Sequence, residues 1–352
     1  MAAGARLALA DARGRASGKR VRILEVDSAR PGSETWDPAT VEADAKRAAD
    51  DPSAVAYVGE LDPGASAVSV PVTDDKGLLQ VSPGDGLTSL TRDEPGTQLA
   101  SGPARYYPSG RRNFLRLVPD DYLQAGALVG WIRARGARRI AIVQDERLFG
   151  RELARLLAFA ARNAGVTVAD AVDVRDDPSG DPALAQRLAG DQPDAVVYTG
   201  LGDARAAGLL AAAHRVLPRV PLFAGSGMAT VAPPPGLPQV AVLKPALPPA
   251  AYGRRGGRVL DRLDRRAGKP YPGEALYGYE AIRIVLDAVR TAGGGDRAAV
   301  VRAALAPRTR RSAIGRYRIL PGGAVSTARF GAYRRDGGSL VYLGPRGPAP
   351  AP

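Results

Sequence analysis

The stretch YVGELDPGASAVSV, residues 57–70, decides how this chain folds. A short apolar run stops at Gly59, breaks through Asp62, Pro63 and Gly64, and restarts as a small-residue helical pattern. A turn between a parallel strand and the helix after it is where open α/β sheets bind ligands, because unpaired amide N–H groups at the helix start point outward. Three chemistries compete for such a turn, and two of them fail on the residues. GELDPGAS places Ala65 where a phosphate loop needs its lysine, and GELDPG lacks the middle glycine of a dinucleotide fingerprint. A hydrolase elbow fares no better. GSGMA, residues 225–229, has a serine but no matching second glycine, and the chain holds a single histidine, His214. A cradle for a small solute remains.

The rest of the composition agrees. The 352 residues suit two medium domains, and 45% apolar content supports a core in each. Gly (42) and Pro (30) fall between periodic segments, as punctuation, and low-complexity sequence is confined to the tail GPRGPAPAP. With no cysteine and one histidine, thiol catalysis, zinc sites of the usual kind and histidine-dependent triads are set aside, and neither a metal nor a cofactor is expected. The net charge of +13 invites a nucleic-acid reading, but its source is arginine in an Ala-, Gly- and Pro-rich chain. The densest clusters, RRGGR (254–258), DRLDRR (261–266) and RTRR (308–311), carry no interleaved aromatics for base stacking, so a solvated basic face is expected and no nucleic acid.

Outward from the opening stretch, strands and helices alternate. A helix over 38–50 precedes the strand 54–59, and a helix over 64–74 precedes LLQVS, 78–82. NFLRLV (113–118) leads into a helix over 121–135. A second series follows: strand 139–144, helix 150–164, strand 166–172, helix 182–190, strand 194–200, helix 203–215 and strand 220–225. The Pro-rich segment 243–253 then separates this series from the helix 273–293, and strands near 314–319, 328–334 and 340–343 close the chain. Short apolar strands alternating with helices mean parallel sheets covered on both faces, and two series mean two doubly wound lobes. No run approaches the roughly 20 apolar residues of a membrane span. The opening AAGARLALADARGR reads as an amphipathic helix with Leu7, Leu9 and Ala10 inward, rather than as a signal peptide. It leads into RVRILEVD, 20–27, read as a strand. Helix then strand is the second half of a βαβ unit, so a further strand, a signal peptide and a lipoprotein cysteine are expected upstream of Met1.

These segments, in this order, carry a resemblance. DPSAVAYVGELDPGASAVSVPVTDDKGLLQVSPGD (51–85) resembles the first-lobe core of type I periplasmic binding proteins, in the branch of the leucine/isoleucine/valine-binding proteins of ABC transporters. NFLRLVPDDYLQAGALVGWI (113–132) is similar to that family's crossover into the second lobe, and 138–168, 193–213 and 221–230 are similar to its next ligand turns. LYGYEAIRIVLDAV (276–289) resembles the return helix. The resemblance implies an α/β fold of two doubly wound parallel-sheet lobes joined by three crossovers, lobe one being 1–118 and 247–326 and lobe two 119–246 and 327–352. It implies a non-catalytic extracytoplasmic receptor that traps a small solute by hinge closure and delivers it to an ABC permease in the membrane. A ligand-sensing domain reporting to a receptor or regulator is the alternative, and an amidase-type regulator or enzyme on the same fold is a third, disfavoured by the absent nucleophile set.

The family's α-amino-acid clamp falls on altered residues. The serine that holds the ligand carboxylate falls on Pro63, which has neither hydroxyl nor N–H, beside Gly64 and Ser66. The next cleft loop reads Asp85 and Gly86 after Ser82 and Pro83. The tyrosine of the Y-G turn is Phe149, that of the following turn falls on Leu201, and the acidic partner of the ligand ammonium falls on Ser226. An aromatic ahead of the return helix falls on Glu274, and Asp121 at the crossover is retained. Each has a packing reading beside it: Pro63 stiffens a turn, Phe149 is core, Asp85 caps a local turn and Asp121 N-caps its helix. Tyr198, Trp36, Trp131 and His214 read as structural. The set Pro63, Gly64, Ser66, Ser82, Asp85, Gly86, Asp121, Phe149, Leu201 and Ser226 suits a neutral or cationic solute better than a zwitterionic amino acid.

Overall fold

Short apolar runs ending in glycine, serine or aspartate make strands too brief to bury themselves, so each is held by a neighbour and a covering helix. The computed structural model describes residues 1–30, 32–33, 35–93, 102–174, 177–229, 236–336 and 339–348. Two compact units divide it: Met1–Asp93, Leu99–Pro119 and Ala246–Thr327 form the first, and Asp120–Pro245 with Ala328–Pro352 build the second.

The first unit opens with α1 (Ala2–Asp11) and a small antiparallel pair, β1 (Arg15–Ala16) with β2 (Lys19–Arg20). The helix α2 (Pro38–Asp50) starts on Asp37, whose carboxylate accepts the Thr40 N–H at 3.0 Å, with proline at the first helical position. The strands β3 (Ala56–Val58), β4 (Leu79–Ser82) and β5 (Phe114–Arg116) run parallel in that order, with α3 (Ser66–Asp75) between the first two. Two expectations are corrected here. In α1, Leu7 is buried and Leu9 packs half-buried on the core as expected, but Ala10 is exposed, and Gly4 and Ala8 complete the buried face. The run 20–27 is not a strand beyond Arg20. A strand needs lateral partners for its N–H and C=O groups, and beyond Val21, whose N–H donates to the Gly14 carbonyl at 2.8 Å, no backbone bond among the described residues pairs 22–27. Val21 and Ile23 still pack on the unit's core, while Leu24 is 66% and Val26 47% exposed.

The second unit continues with α4 (Asp121–Ala134), β6 (Arg139–Gln144), α5 (Leu148–Asn163), β7 (Thr167–Asp173), α6 (Asp181–Gly190), β8 (Ala195–Tyr198), α7 (Ala204–Val216), β9 (Leu222–Ala224) and β10 (Val240–Lys244). The chain returns to the first unit as α8 (Arg254–Ala267), α9 (Ala275–Thr291), α10 (Arg297–Leu305) and the hairpin β11 (Arg308–Ser312) and β12 (Gly315–Ile319). It closes the second with β13 (Phe330–Asp336) and β14 (Ser339–Arg346). The second unit's sheet has the order β14-β13-β10-β9-β8-β6-β7, parallel from β7 to β10 and antiparallel through β13 and β14. The mixed α/β class expected from the alternation is the class observed. The arginine clusters 254–258 and 261–266 form α8, which buries Val259, Leu260 and Leu263, and cluster 308–311 lies in β11.

Both cores are built from these periodicities. In the first unit Tyr277, Ala281, Ile284, Val285 and Ala288 of α9 pack with Leu79, Val81, Leu115 and Leu117. In the second, Ala141, Val143, Val196 and Tyr198 pack with Leu209, Leu210 and Ala213 of α7.

Candidate functional site

The carboxyl ends of β3 and β4 carry the first unit's candidate turns. Helix α3 has no side-chain cap of its own. Its amides are met by Asp85, from the loop after β4, whose carboxylate accepts N–H bonds from Gly64 (3.1 Å), Ser66 (2.9 Å) and Leu87 (3.0 Å). The Ser82 hydroxyl donates to the Glu60 carbonyl at 2.7 Å and accepts the Asp85 N–H at 2.9 Å, and the Ser66 hydroxyl accepts the Glu60 N–H at 3.3 Å. Underneath, Gln80 donates to the Gly59 carbonyl (3.1 Å) and to Ser69 (2.8 Å). A side chain at Gly84 would put its Cβ 2.1 Å from the Leu61 carbonyl oxygen, so glycine there lets the two turns lie against each other. Pro63, Gly64, Ser66, Ser82, Asp85 and Gly86 are thus brought together and buried, and the polar groups of Ser66, Ser82 and Asp85 are engaged with backbone.

Two further carboxylates lie in the same turn. Glu60 is only 5% exposed, and its Oε1 has no hydrogen-bond partner. Burial pushes its carboxyl up to about 7, with bonds from Tyr57 and Ser69 opposing the rise and the charges of Asp85 and Asp62 adding to it. Burial, then Asp85, pushes Asp62 up to about 6. Among the described residues no Lys or Arg is ion-paired with Glu60, Asp62 or Asp85, and no three His, Cys, Asp or Glu are grouped to hold a metal ion.

The second unit's turns follow β6, β8 and β9. Asp145, after β6, accepts the Leu201 N–H at 3.0 Å and the Arg147 N–H at 3.3 Å. Here a cation is present: the Arg147 guanidinium bridges Asp145 (3.0 Å) and Asp203 (3.1 Å). Phe149 and Leu201 are buried, and the Tyr198 hydroxyl donates to the Leu201 carbonyl at 2.8 Å. The Ser226 N–H donates to Gln124 at 2.6 Å, and Gln124 donates to Asp121 at 2.5 Å. The N-cap of α4 is Asp120, which accepts the Leu123 N–H at 3.1 Å; the capping reading of Asp121 therefore belongs to its neighbour.

A family model described as periplasmic binding protein matches residues 1–328. The chain belongs to that family. Solved structures agree on a type I periplasmic binding fold. An ABC transporter substrate-binding protein from Desulfitobacterium hafniense, in complex with Leu, superposes with a TM-score of 0.77 at 19% identity, over 97% of this chain and 95% of that one. A leucine-binding protein from Thermotoga maritima gives 0.78 at 19% identity, over 98% and 93%. A solute-binding protein from R. palustris in complex with benzoate gives 0.74 at 16%, over 100% and 92%. A comparison with the curated proteins finds no match. Periplasmic binding proteins are solute binders rather than enzymes, and an extracytoplasmic place and an ABC permease partner go with the family. In this member of the family, the sequence reading found the turns but missed Glu60, Asp62, Asp145 and Arg147. The signal for the first two stood in GELD, two carboxylates in a strand-to-helix turn of a chain rich in arginine.

Proposed function

We propose that this protein is the extracytoplasmic solute-binding component of an ABC importer, capturing a small polar solute by lobe closure and passing it to the permease. The family match over residues 1–328 carries the receptor role. Asp85 bears on the solute. An α-amino acid needs donors for its carboxylate, and the amides of Gly64 and Ser66 already serve Asp85, while Pro63 offers no N–H. A second carboxylate brought there would meet a like charge in place of free donors, and a buried ion without partners is costly. Leucine, valine and glutamate are therefore expected to bind weakly, although leucine is the ligand named for the D. hafniense protein. Thermal-shift screening of amino acids, amides, polyols and amines, followed by calorimetry, tests this, because a ligand of the native state raises its melting temperature. A dissociation constant at or below about 10 μM for any of those three amino acids, roughly −7 kcal/mol, would overturn the exclusion; a panel without a single binder would overturn the receptor role.

A further inference from the structure

We infer that the solute is a small organic cation, an alkylammonium or amidinium, whose N–H donors are held by Glu60 and Asp62 in the turn between β3 and α3. The inference rests on the solute-receptor reading above and gives it a chemical class.

Three observations converge. First, the turn's donors are already engaged: Asp85 takes the N–H groups of Gly64, Ser66 and Leu87, and Ser82 and Ser66 bond the backbone of Glu60. Second, an acceptor is left over. The Glu60 carboxyl receives bonds from Tyr57 and Ser69, yet its Oε1 has no donor although the residue is only 5% exposed, and buried acceptors are normally satisfied. Third, three other buried carboxylates of this protein are paired with arginine. Glu280, 2% exposed at its side chain, bonds Arg310 at 2.6 Å; Asp181 is held by Arg205 at 2.5 Å; Asp145 has Arg147 at 3.0 Å. With 49 Lys and Arg against 36 Asp and Glu in the chain, the supply of counter-charge is ample. Among the described residues none is delivered to Glu60, Asp62 or Asp85.

An ion supplied from outside completes the set. An ammonium brings three donors and an amidinium a planar pair, and either matches two carboxylates that lack a cation of their own. Leu61, 46% exposed between the two acids, offers an apolar surface to the carbon chain of the same ligand. These features sit at the carboxyl end of a parallel strand, where the fold places its ligands.

The test is calorimetry on the full chain with putrescine, agmatine and benzamidine, against acetamide, inositol and leucine. At least one cation is expected to bind about 100-fold more tightly than every neutral probe, as charge-assisted bonds to two acids allow. Glu60→Gln is expected to weaken that cation by about 30-fold or more and Asp62→Asn by about 5-fold, with circular dichroism confirming that both variants are folded. A neutral or zwitterionic probe that binds more tightly than every cation overturns the inference and leaves the receptor role standing. So does an unchanged cation affinity in folded Glu60→Gln. The absence of binding by any probe overturns both.

Discussion

The two units use the same device at the turns that follow their parallel strands and finish it differently. In each, a buried aspartate accepts backbone N–H groups of its own loop and of another: Asp85 serves Leu87 beside Gly64 and Ser66, and Asp145 serves Arg147 beside Leu201. Around Asp145 the charge is neutralised in place by Arg147, which also reaches Asp203. Around Asp85 two further carboxyl groups, Glu60 and Asp62, are gathered, and among the described residues no basic side chain is bonded to any of them. Holding a turn together takes only the first arrangement. The second gathers acids whose ionisation burial opposes.

The comparison breaks most readily at the aspartates. Asp85→Ala strips the acceptor from three buried amides and is expected to lower stability in urea denaturation by about 3–5 kcal/mol, at about 1–3 kcal/mol per orphaned group less some relaxation. Asp145→Ala orphans fewer amides and leaves Arg147 paired with Asp203, so a loss of about 1–3 kcal/mol is expected. Equal losses would mean that the turns are held alike. Next comes pH. Glu60 is raised from 4.5 to about 7 by its burial. Between those values the unfolded chain has released a proton that the folded chain keeps, so stability falls as the pH rises through this window and is level above it. Wild-type protein is expected to lose about 3 kcal/mol more than Glu60→Gln between pH 4.5 and 8. Asp62 acts with the same sign in both proteins and cancels from the difference. The smallest effect is at the exposed cation: Arg147, with 44% of its side chain exposed, is expected to lose no more than about 1 kcal/mol on replacement by alanine.

Strand positions were legible wherever an apolar run carried its own partner in the sequence, as at residues 56–58, 79–82 and 139–144. They were misread where pairing decides the outcome. VRILEV has every local property of a strand, yet a strand is a relation between segments, and residues 21–27 have no partner strand among the described residues. The helix α8 and the strand β10 were passed over for a different reason. Arginine density hid the apolar stripe of Val259, Leu260 and Leu263, and the prolines after Lys244 masked VAVLK. At the site, the residue types of the turns could be read, but their employment could not. That Asp85 would serve amides 19 and 21 residues earlier depends on two loops touching, and so does the lone oxygen of Glu60.

That touching has a consequence for how such a receptor can change over generations. Where the loop after β4 crosses Leu61, the clearance at residue 84 admits only a hydrogen atom, so the paths of both loops are closed to revision by substitution at that position. Positions 60, 61 and 62 sit on this frozen frame, and the bonds that join its two loops run to Asp85 and Ser82 rather than to their side chains. On the inference drawn above, a lineage carrying this gene would exchange one solute for another through a few codon changes at those sites, while inheriting the architecture around them intact.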